Sequence, residues 1–399
     1  MSRDRADRRD FLKSTIAGAG LAALTTARSG NAQAQGAAKP PGRPDGAVAA
    51  PPPAPAAKAP EPPRAPRINF AVIGVNHAHV NRQVEAITRG GGTLVSFFAK
   101  EPDLADAFAK KYPQAKLARS EKEILEAKDI QLVATAGIPN ERAPLGIEVM
   151  RHGKDFLSDK PGATTLAQLA SLRKVQAETK RICSIMYSER HENRATVKAG
   201  ELVKAGAIGK VIQTMGVGPH KMNPKTRPAW FFEKDRYGGI LCDVGSHQFD
   251  QFLFFTGSSR ADIVAAQVGN VNHPDHPGLE DFGDVMLRGD HGSGYIRVDW
   301  FTPDGLTSWG DARLTILGTD GYIEVRKNVD IAGRPGGEHL LIVDQKSARY
   351  IDCKNEPLPF GERLVDDVLN RTETAMPQQH CFLATELALK AQKSAKKIS

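Results

Sequence analysis

The chain has 399 residues, a formal net charge of +8 and 40% hydrophobic residues, enough length for two domains with substantial cores. Residues 1–67 hold 11 Lys and Arg against 5 Asp and Glu, which leaves 43 against 41 for everything after. The basic excess therefore belongs largely to the N-terminal segment, and nucleic-acid binding is not indicated.

The N-terminal segment carries Arg8-Arg9, a short Gly- and Ala-rich apolar run from Ser14 to Leu24, and Asn31-Ala32-Gln33-Ala34. Paired arginines, a modest apolar stretch and a small-residue cleavage site read as a twin-arginine export signal over residues 1–34. Such a signal implies the twin-arginine translocation machinery as a partner and a periplasmic or secreted destination. No cysteine stands at the cleavage site, which speaks against a lipoprotein. Residues 35–66 are rich in Pro and Ala with almost no large apolar side chain, so they are expected to be extended, either as a spacer or as an arm over a neighbouring subunit. The four cysteines, Cys183, Cys242, Cys353 and Cys381, lack metal spacing, and no structurally required disulfide is expected.

From Arg67 short β-branched runs alternate with helical periods. Strands are expected at 68–74, 94–98, 131–136, 155–158 and 182–186, with helices at 78–89, 104–112 and 142–152 and a capping box at Ser120 and Glu123. This rhythm implies a Rossmann-type, doubly wound parallel sheet over residues 67–188, with ligands at the C-terminal edge of its strands. Beyond Ser188 the rhythm changes to helices at 192–205 and 241–255 and apolar alternating runs at 282–287, 294–300, 313–317, 322–326 and 340–343. Residues 189–399 are thus expected to form an α+β domain with a large, mainly antiparallel sheet, closed by helices at 360–369 and 378–397. The fold class is α/β.

The first strand ends in Gly74-Val75-Asn76-His77-Ala78-His79, where a dinucleotide fold usually carries G-x-G-x-x-G. Only the first glycine is present. At the end of the second strand Ala99 and Lys100 stand where an acidic residue would hold the ribose of NAD. That leans towards NADP, although Lys100 reads equally well as a solvated charge. Asp159-Lys160-Pro161 follows the strand at 155–158, and Gly238-Gly239 precedes Asp243 and His247 some eighty residues later. A lysine, an aspartate and a histidine on such a fold are suited to moving a proton off a hydroxyl while a nicotinamide takes hydride. Asp243 and His247 are four apart and are expected to share one helical face, with the carboxylate setting the imidazole's tautomer and Asp250 three further on the same side.

These motifs, with Gly137-Ile138-Pro139-Asn140, Gly153-Lys154 and Gly318-Thr319-Asp320-Gly321, together resemble the glucose-fructose oxidoreductase and inositol dehydrogenase (Gfo/Idh/MocA) family from about Ile68 to the C-terminus. The resemblance implies a first domain that binds NAD or NADP tightly, an open sheet used for substrate binding and homo-oligomer contacts, and sugar or polyol substrates. It places Lys160, Asp243 and His247 in catalysis. It places Gly74, Asn76, His77, Ala99, Lys100, Pro139, Asn140, Asp159 and Lys160 around the cofactor. The topology adds Arg190, His191 and Lys221 as substrate-binding candidates. No metal site is expected. Three departures from the family pattern stand out: Asn76 and His79 replace glycines, Asp159 replaces a glutamate, and Glu141, Arg142 and Ala143 stand where a histidine is common. Two other readings fit the same residues: a redox-neutral glycoside hydrolase or lyase with a captive nucleotide, and a carbohydrate-binding relative without one.

Overall fold

The computed structural model describes residues 65–398, so the expected export signal and nearly all of the Pro/Ala-rich segment lie outside the described residues. In the first half β1 (Ile68–Ile73), α1 (Val80–Arg89), β2 (Gly92–Phe98), α2 (Pro102–Lys111), β3 (Lys116–Leu117), α3 (Glu121–Glu126), β4 (Leu132–Thr135), α4 (Pro139–Arg151), β5 (Asp155–Asp159), α5 (Leu166–Thr179) and β6 (Cys183–Met186) alternate along the chain. The strands form one sheet in the order β3-β2-β1-β4-β5-β6, every pair parallel. β1, β4, β5 and β6 are buried almost without interruption, as strands covered by helices on both faces must be. The order reverses between β1 and β4, which opens the crevice where a doubly wound fold takes its ligand.

The second half runs α6 (Ser188–His191), α7 (Arg194–Lys204), β7 (Val211–Pro219), α8 (Lys234–Tyr237), α9 (Ile240–Asp243), α10 (Ser246–Thr256), β8 (Ala261–Gly269), β9 (Phe282–Gly289), β10 (Ser293–Asp299), β11 (Arg313–Gly318), β12 (Gly321–Arg326), β13 (His339–Asp344), β14 (Ala348–Asp352), α11 (Phe360–Asn370), α12 (Gln378–Ser394) and β15 (Lys396–Lys397). Nine strands form a mixed, mostly antiparallel sheet in the order β14-β13-β12-β11-β7-β10-β9-β8-β15, with parallel pairs only at β7–β10 and β8–β15. The turn at 289–292 joins β9 and β10 as expected, with the Gly289 amide donating to the Gly292 carbonyl at 2.7 Å. One face of this sheet buries Val285, Leu287, Ile296 and Val298 with Phe249, Phe252 and Leu253 of α10 and the inner side of α12. On the other face register places Met286, Tyr295 and Met215 side by side, and Leu317 opposite Tyr322.

Two expectations need correction. The single helix expected at 241–255 is two helices, α9 and α10, separated at Val244 and Gly245. The boundary at residue 189 does not divide the cores, because α11 returns to the first sheet. Phe360, Leu364, Val365 and Val368 pack in one cluster with Phe70, Val84, Ile87 and Leu94. The amphipathic period of α11 is clear in sequence, but which of two sheets receives its apolar face is decided by tertiary packing.

The α1–α11 crossing brings backbone against backbone. A Cβ on Gly361 would overlap the Ala86 carbonyl, and one on Gly90 would overlap the Gly361 carbonyl. Gly361→Ala is therefore expected to cost about 1–3 kcal/mol through overpacking that no side chain can relieve. Urea denaturation measures this, and an unchanged midpoint contradicts the packing described.

Candidate active site

The site is built where β1, β4 and β5 end and α9 and α10 approach them. At the end of β1, Gly74 has φ +81°, a conformation open to glycine, and a Cβ there would lie 2.9 Å from the Cα of Gly137 after β4. This close passage of two turns floors a cavity of about 330 Å³ lined by Gly74, Asn76, Lys100, Thr135, Gly137 and Asn140. Pro139 begins α4 at the same edge, and the buried Oδ1 of Asn140 lacks a hydrogen-bond partner. Ala99 is buried at the end of β2, while the Asn76 amide donates to Glu101 at 2.8 Å. A glycine-floored cavity at the switch point with an orphaned amide oxygen suits the binding of a dinucleotide.

Lys100 lines this cavity and is largely exposed, in keeping with its reading as a solvated charge. Its ammonium lies 3.2 Å from Glu141 and 3.8 Å from Glu121, and these carboxylates raise its pKa against the opposing effect of burial. It does not stand alone as an anion receptor, because four acidic groups, Glu101, Glu121, Glu141 and Glu148, line the same cavity.

Arg142 organises the next turn and is fully buried. Its guanidinium donates to the carbonyls of Gly137 (2.8 Å), Lys160 and Pro161 (3.3 Å) and lies 3.2 Å from Asp159 Oδ2. The Lys160-Pro161 peptide is cis. With its backbone held there, Lys160 extends its ammonium to Asp243 Oδ1 at 2.7 Å. This ion pair joins the end of the parallel sheet to α9. Burial opposes the charged form of Asp243, but the adjacent Lys160 and the nearby Arg142 prevail and hold its pKa down.

The expected carboxylate–imidazole pair of Asp243 and His247 is not formed. Asp243 is engaged instead by Lys160, and His247 lies on the following helix. His247 is buried, and its Nδ1 has no hydrogen-bond partner. Burial pushes its pKa down to about 3, against the partly compensating charge of Glu189. The charge of Lys160 is felt at His247 as well, so the two belong to one electrostatic cluster.

The substrate candidates shift by one residue. Arg190 clamps Asp250 bidentately at 2.6 and 2.7 Å, and His380 reaches the same carboxylate at 2.8 Å, so Arg190 and Asp250 form an internal ion pair. His191 is buried against Phe360, with ring centroids 4.1 Å apart. Glu189, one residue earlier, is the group that faces the cluster. It accepts from Lys327 at 2.5 Å and Gln248 at 3.0 Å, and its Oε1 is unpartnered. Lys221 likewise binds the carbonyls of Asp304 and Leu306, whereas His220 lies between Trp300 and Trp309 with centroids 5.3 and 4.4 Å away. Burial lowers the His220 pKa to about 4, and the charges of Glu189, Lys160 and Asp243 all reach it. Glu189, Trp309 and Lys327 line a larger cavity of about 630 Å³. Arg142, Glu189 and Lys327 are not singled out as site residues in the sequence, and His220 stands out only beside Lys221 at a strand end. Strand and helix periodicity could have flagged Glu189 and His220, but no local signal marks Lys327.

Two family models match the chain, one described as "Oxidoreductase family, NAD-binding Rossmann fold" over residues 68–187 and one as "GFO/IDH/MocA C-terminal domain" over residues 196–324. The scyllo-inositol 2-dehydrogenase (NADP(+)) IolW of Bacillus subtilis (strain 168) is 26% identical over 179 residues, which are 44% of this chain and 49% of that enzyme. The chain thus matches about half the length of that curated relative. The crystal structure of a protein designated an oxidoreductase from Erwinia carotovora atroseptica SCRI1043 is 44% identical. That comparison covers 83% of this chain and 100% of the other, with a TM-score of 0.81. An oxidoreductase from Agrobacterium radiobacter, solved with NAD+, L-tartaric acid and magnesium, shares the fold at 16% identity and a TM-score of 0.70, covering 82% of this chain and 96% of its own.

Arg142→Met should remove about 3–5 kcal/mol of stability, because it strands the buried carboxylate of Asp159. Chemical denaturation measures this, and a loss below about 1 kcal/mol would show that the guanidinium is not the brace described. The histidines give a pH prediction. His220 and His247 titrate near 4 and 3 in the folded protein but near 6.5 when unfolded, so the unfolded state binds more protons in between. Their contribution to stability should fall as pH drops below about 6.5, and the double variant His220→Gln/His247→Gln should lose stability less steeply between pH 6.5 and 4.5. Parallel stability profiles for the two proteins would contradict this assignment.

Proposed function

Because the chain belongs to the Gfo/Idh/MocA oxidoreductase family, whose NAD-binding model matches its first domain, we propose that it moves hydride between a nicotinamide cofactor and a sugar, polyol or related alcohol or aldehyde. The chain is an NAD(P)-binding oxidoreductase. The observation that carries the finer reading is the Lys160–Asp243 ion pair spanning the two sheets beside the buried His247. A polyol substrate is further supported by the partial likeness to an enzyme named as an inositol dehydrogenase.

Gly74, Asn76, Gly137, Pro139 and Asn140 would hold the dinucleotide, and when bound it supplies the two-electron acceptor or donor. The chain's own residues handle the proton. His247 is neutral, and we assign it as the base that takes the proton of the reacting hydroxyl. Lys160, aimed by Asp243, donates a hydrogen bond to the same oxygen and stabilises negative charge there as the proton leaves. Asp243 therefore positions the lysine and not the imidazole. We read the carboxylates around Lys100 as favouring NAD over NADP, against the leaning of the sequence, because a 2′-phosphate would compete with Glu141 and Glu121 for one ammonium.

The twin-arginine motif supports export to the periplasm or beyond, with folding before translocation. The apolar outer face of the nine-stranded sheet, with Met215 and Met286 exposed by 44% and 53%, supports a homo-oligomer.

The test is turnover of added NAD+ or NADP+ with a panel of aldoses and inositols, followed by the ultraviolet absorbance of the reduced nicotinamide. Wild-type protein should reduce the cofactor, and Lys160→Met and His247→Asn should each lower kcat by about 10²–10⁴-fold. Release of a glycoside without net change in the cofactor would instead favour the hydrolase or lyase reading. Full activity in both variants would remove these residues from the mechanism.

A further inference from the structure

The three departures from the family pattern converge in space. His79 and Arg142 both contact Asp159, and His77 approaches it: His79 Nδ1 lies 3.0 Å from Asp159 Oδ1, His77 Nδ1 lies 3.8 Å from Asp159 Oδ2, and Arg142 Nη2 lies 3.2 Å from that same Oδ2. The imidazoles stand edge to face with centroids 4.0 Å apart. Both rings therefore present Nδ1 to the two oxygens of one carboxylate.

We propose that His77, His79 and Asp159 form a binding site for one divalent transition-metal ion of the zinc class, set at the C-terminal edge of the parallel sheet.

The spacing fits. Ligand atoms about 2.0–2.2 Å from a tetrahedral ion lie about 3.3–3.6 Å from one another, and the potential ligand atoms of the three residues all lie within 4.8 Å of each other. Hydrogen bonding alone leaves this cluster incomplete. His79 can donate to Oδ1, whereas the buried Asp159 Oδ2 has only the Arg142 guanidinium at 3.2 Å beside it, outside good hydrogen-bond geometry, and His77 Nδ1 at 3.8 Å is too far to donate. A cation between the rings and the carboxylate would give that oxygen a second positive partner besides the guanidinium. The lone pair of His77 Nδ1 now accepts only the backbone amide of His79 at 3.2 Å, a bond the ion would replace.

The surroundings suit such a site. Arg142 grips the carboxylate from the buried side, as outer-sphere partners orient a metal ligand, while the ammonium of Lys160 is drawn away to Asp243. Asp159 is 4% exposed at its side chain, but His77 and His79 are 25% and 32% exposed, which leaves an entry path and open positions for water or a ligand oxygen. Two nitrogens and one carboxylate are borderline ligands that match zinc, cobalt or manganese better than calcium or magnesium.

The test uses tag-free full-length protein stripped with chelator, reloaded with Co(II) or Zn(II), desalted and analysed for metal. It is independent of turnover. Wild type should retain about one equivalent per chain, with a visible Co(II) absorption band of low-symmetry coordination. His77→Ala/His79→Ala should lose the band and bind at least about 100-fold more weakly, and Asp159→Asn about 10-fold more weakly, both with unchanged far-ultraviolet circular dichroism. Retention of less than about 0.1 equivalent by wild type would show a hydrogen-bonded cluster alone and overturn the proposal, as would equal retention by the double variant. Should Asp159→Asn fail to fold, the exposed histidine variants decide the matter by themselves.

Discussion

A single buried guanidinium holds this site together. Arg142 reaches from the first turn of α4 to the carbonyls of Gly137, Lys160 and Pro161 and to the carboxylate of Asp159, so the ends of β4 and β5 cannot move independently. Removing an arginine from water costs several kcal/mol, and only a nearly complete set of acceptors offsets it. Here three carbonyls and a carboxylate provide that set. The lysine that follows Asp159 is thereby launched from a fixed backbone, and its ammonium meets Asp243 on an element belonging to the other sheet.

The two sheets are correspondingly interlocked. α11 covers the β1–β2 face of the parallel sheet, and α12 packs Cys381, Ala384 and Leu387 into the core beneath the nine-stranded sheet. Around the cluster the charges are matched in pairs: Lys160 with Asp243, Lys327 with Glu189, Arg190 with Asp250. Paired charges can stay buried, while burial itself keeps His220 and His247 neutral against the opposing charge of Glu189. A neutral imidazole keeps a nitrogen lone pair free to accept a proton.

Much of this fold was legible in the sequence, because buried parallel strands and half-buried antiparallel ones leave different periods. The change of rhythm after Ser188 marks the second sheet, and the turn at 289–292 marks one hairpin. α5 left a weak signal, its leucines diluted by Ala, Gln and Lys behind a Pro-Gly pair, and β8 alternates too faintly to declare itself. Within the site, Lys160, Asp243 and His247 were found by motif. Their pairing was not, because a helix break at Val244 and Gly245 is invisible to a rule of four-residue spacing. Arg190 and Lys221 drew attention as charges, yet each neighbours the residue that faces the cluster. The direction of a side chain on a short helix or at a strand end is set by packing that no local pattern encodes. Arg142 was noticed only as a missing histidine.

The central claim is that a nicotinamide dinucleotide occupies the crevice floored by Gly74 and Gly137 despite the loss of two fingerprint glycines. The most direct measurement is the mass and ultraviolet spectrum of the small molecule released when protein purified from its native host is acid-denatured, with equilibrium binding of added NAD+ as companion. Stoichiometric NAD or NADP, or binding of the added nucleotide, is the result expected from the geometry. An empty protein that also leaves added NAD+ and NADP+ unbound would contradict it, and would return Lys160, Asp243 and His247 to the role of a buried polar cluster.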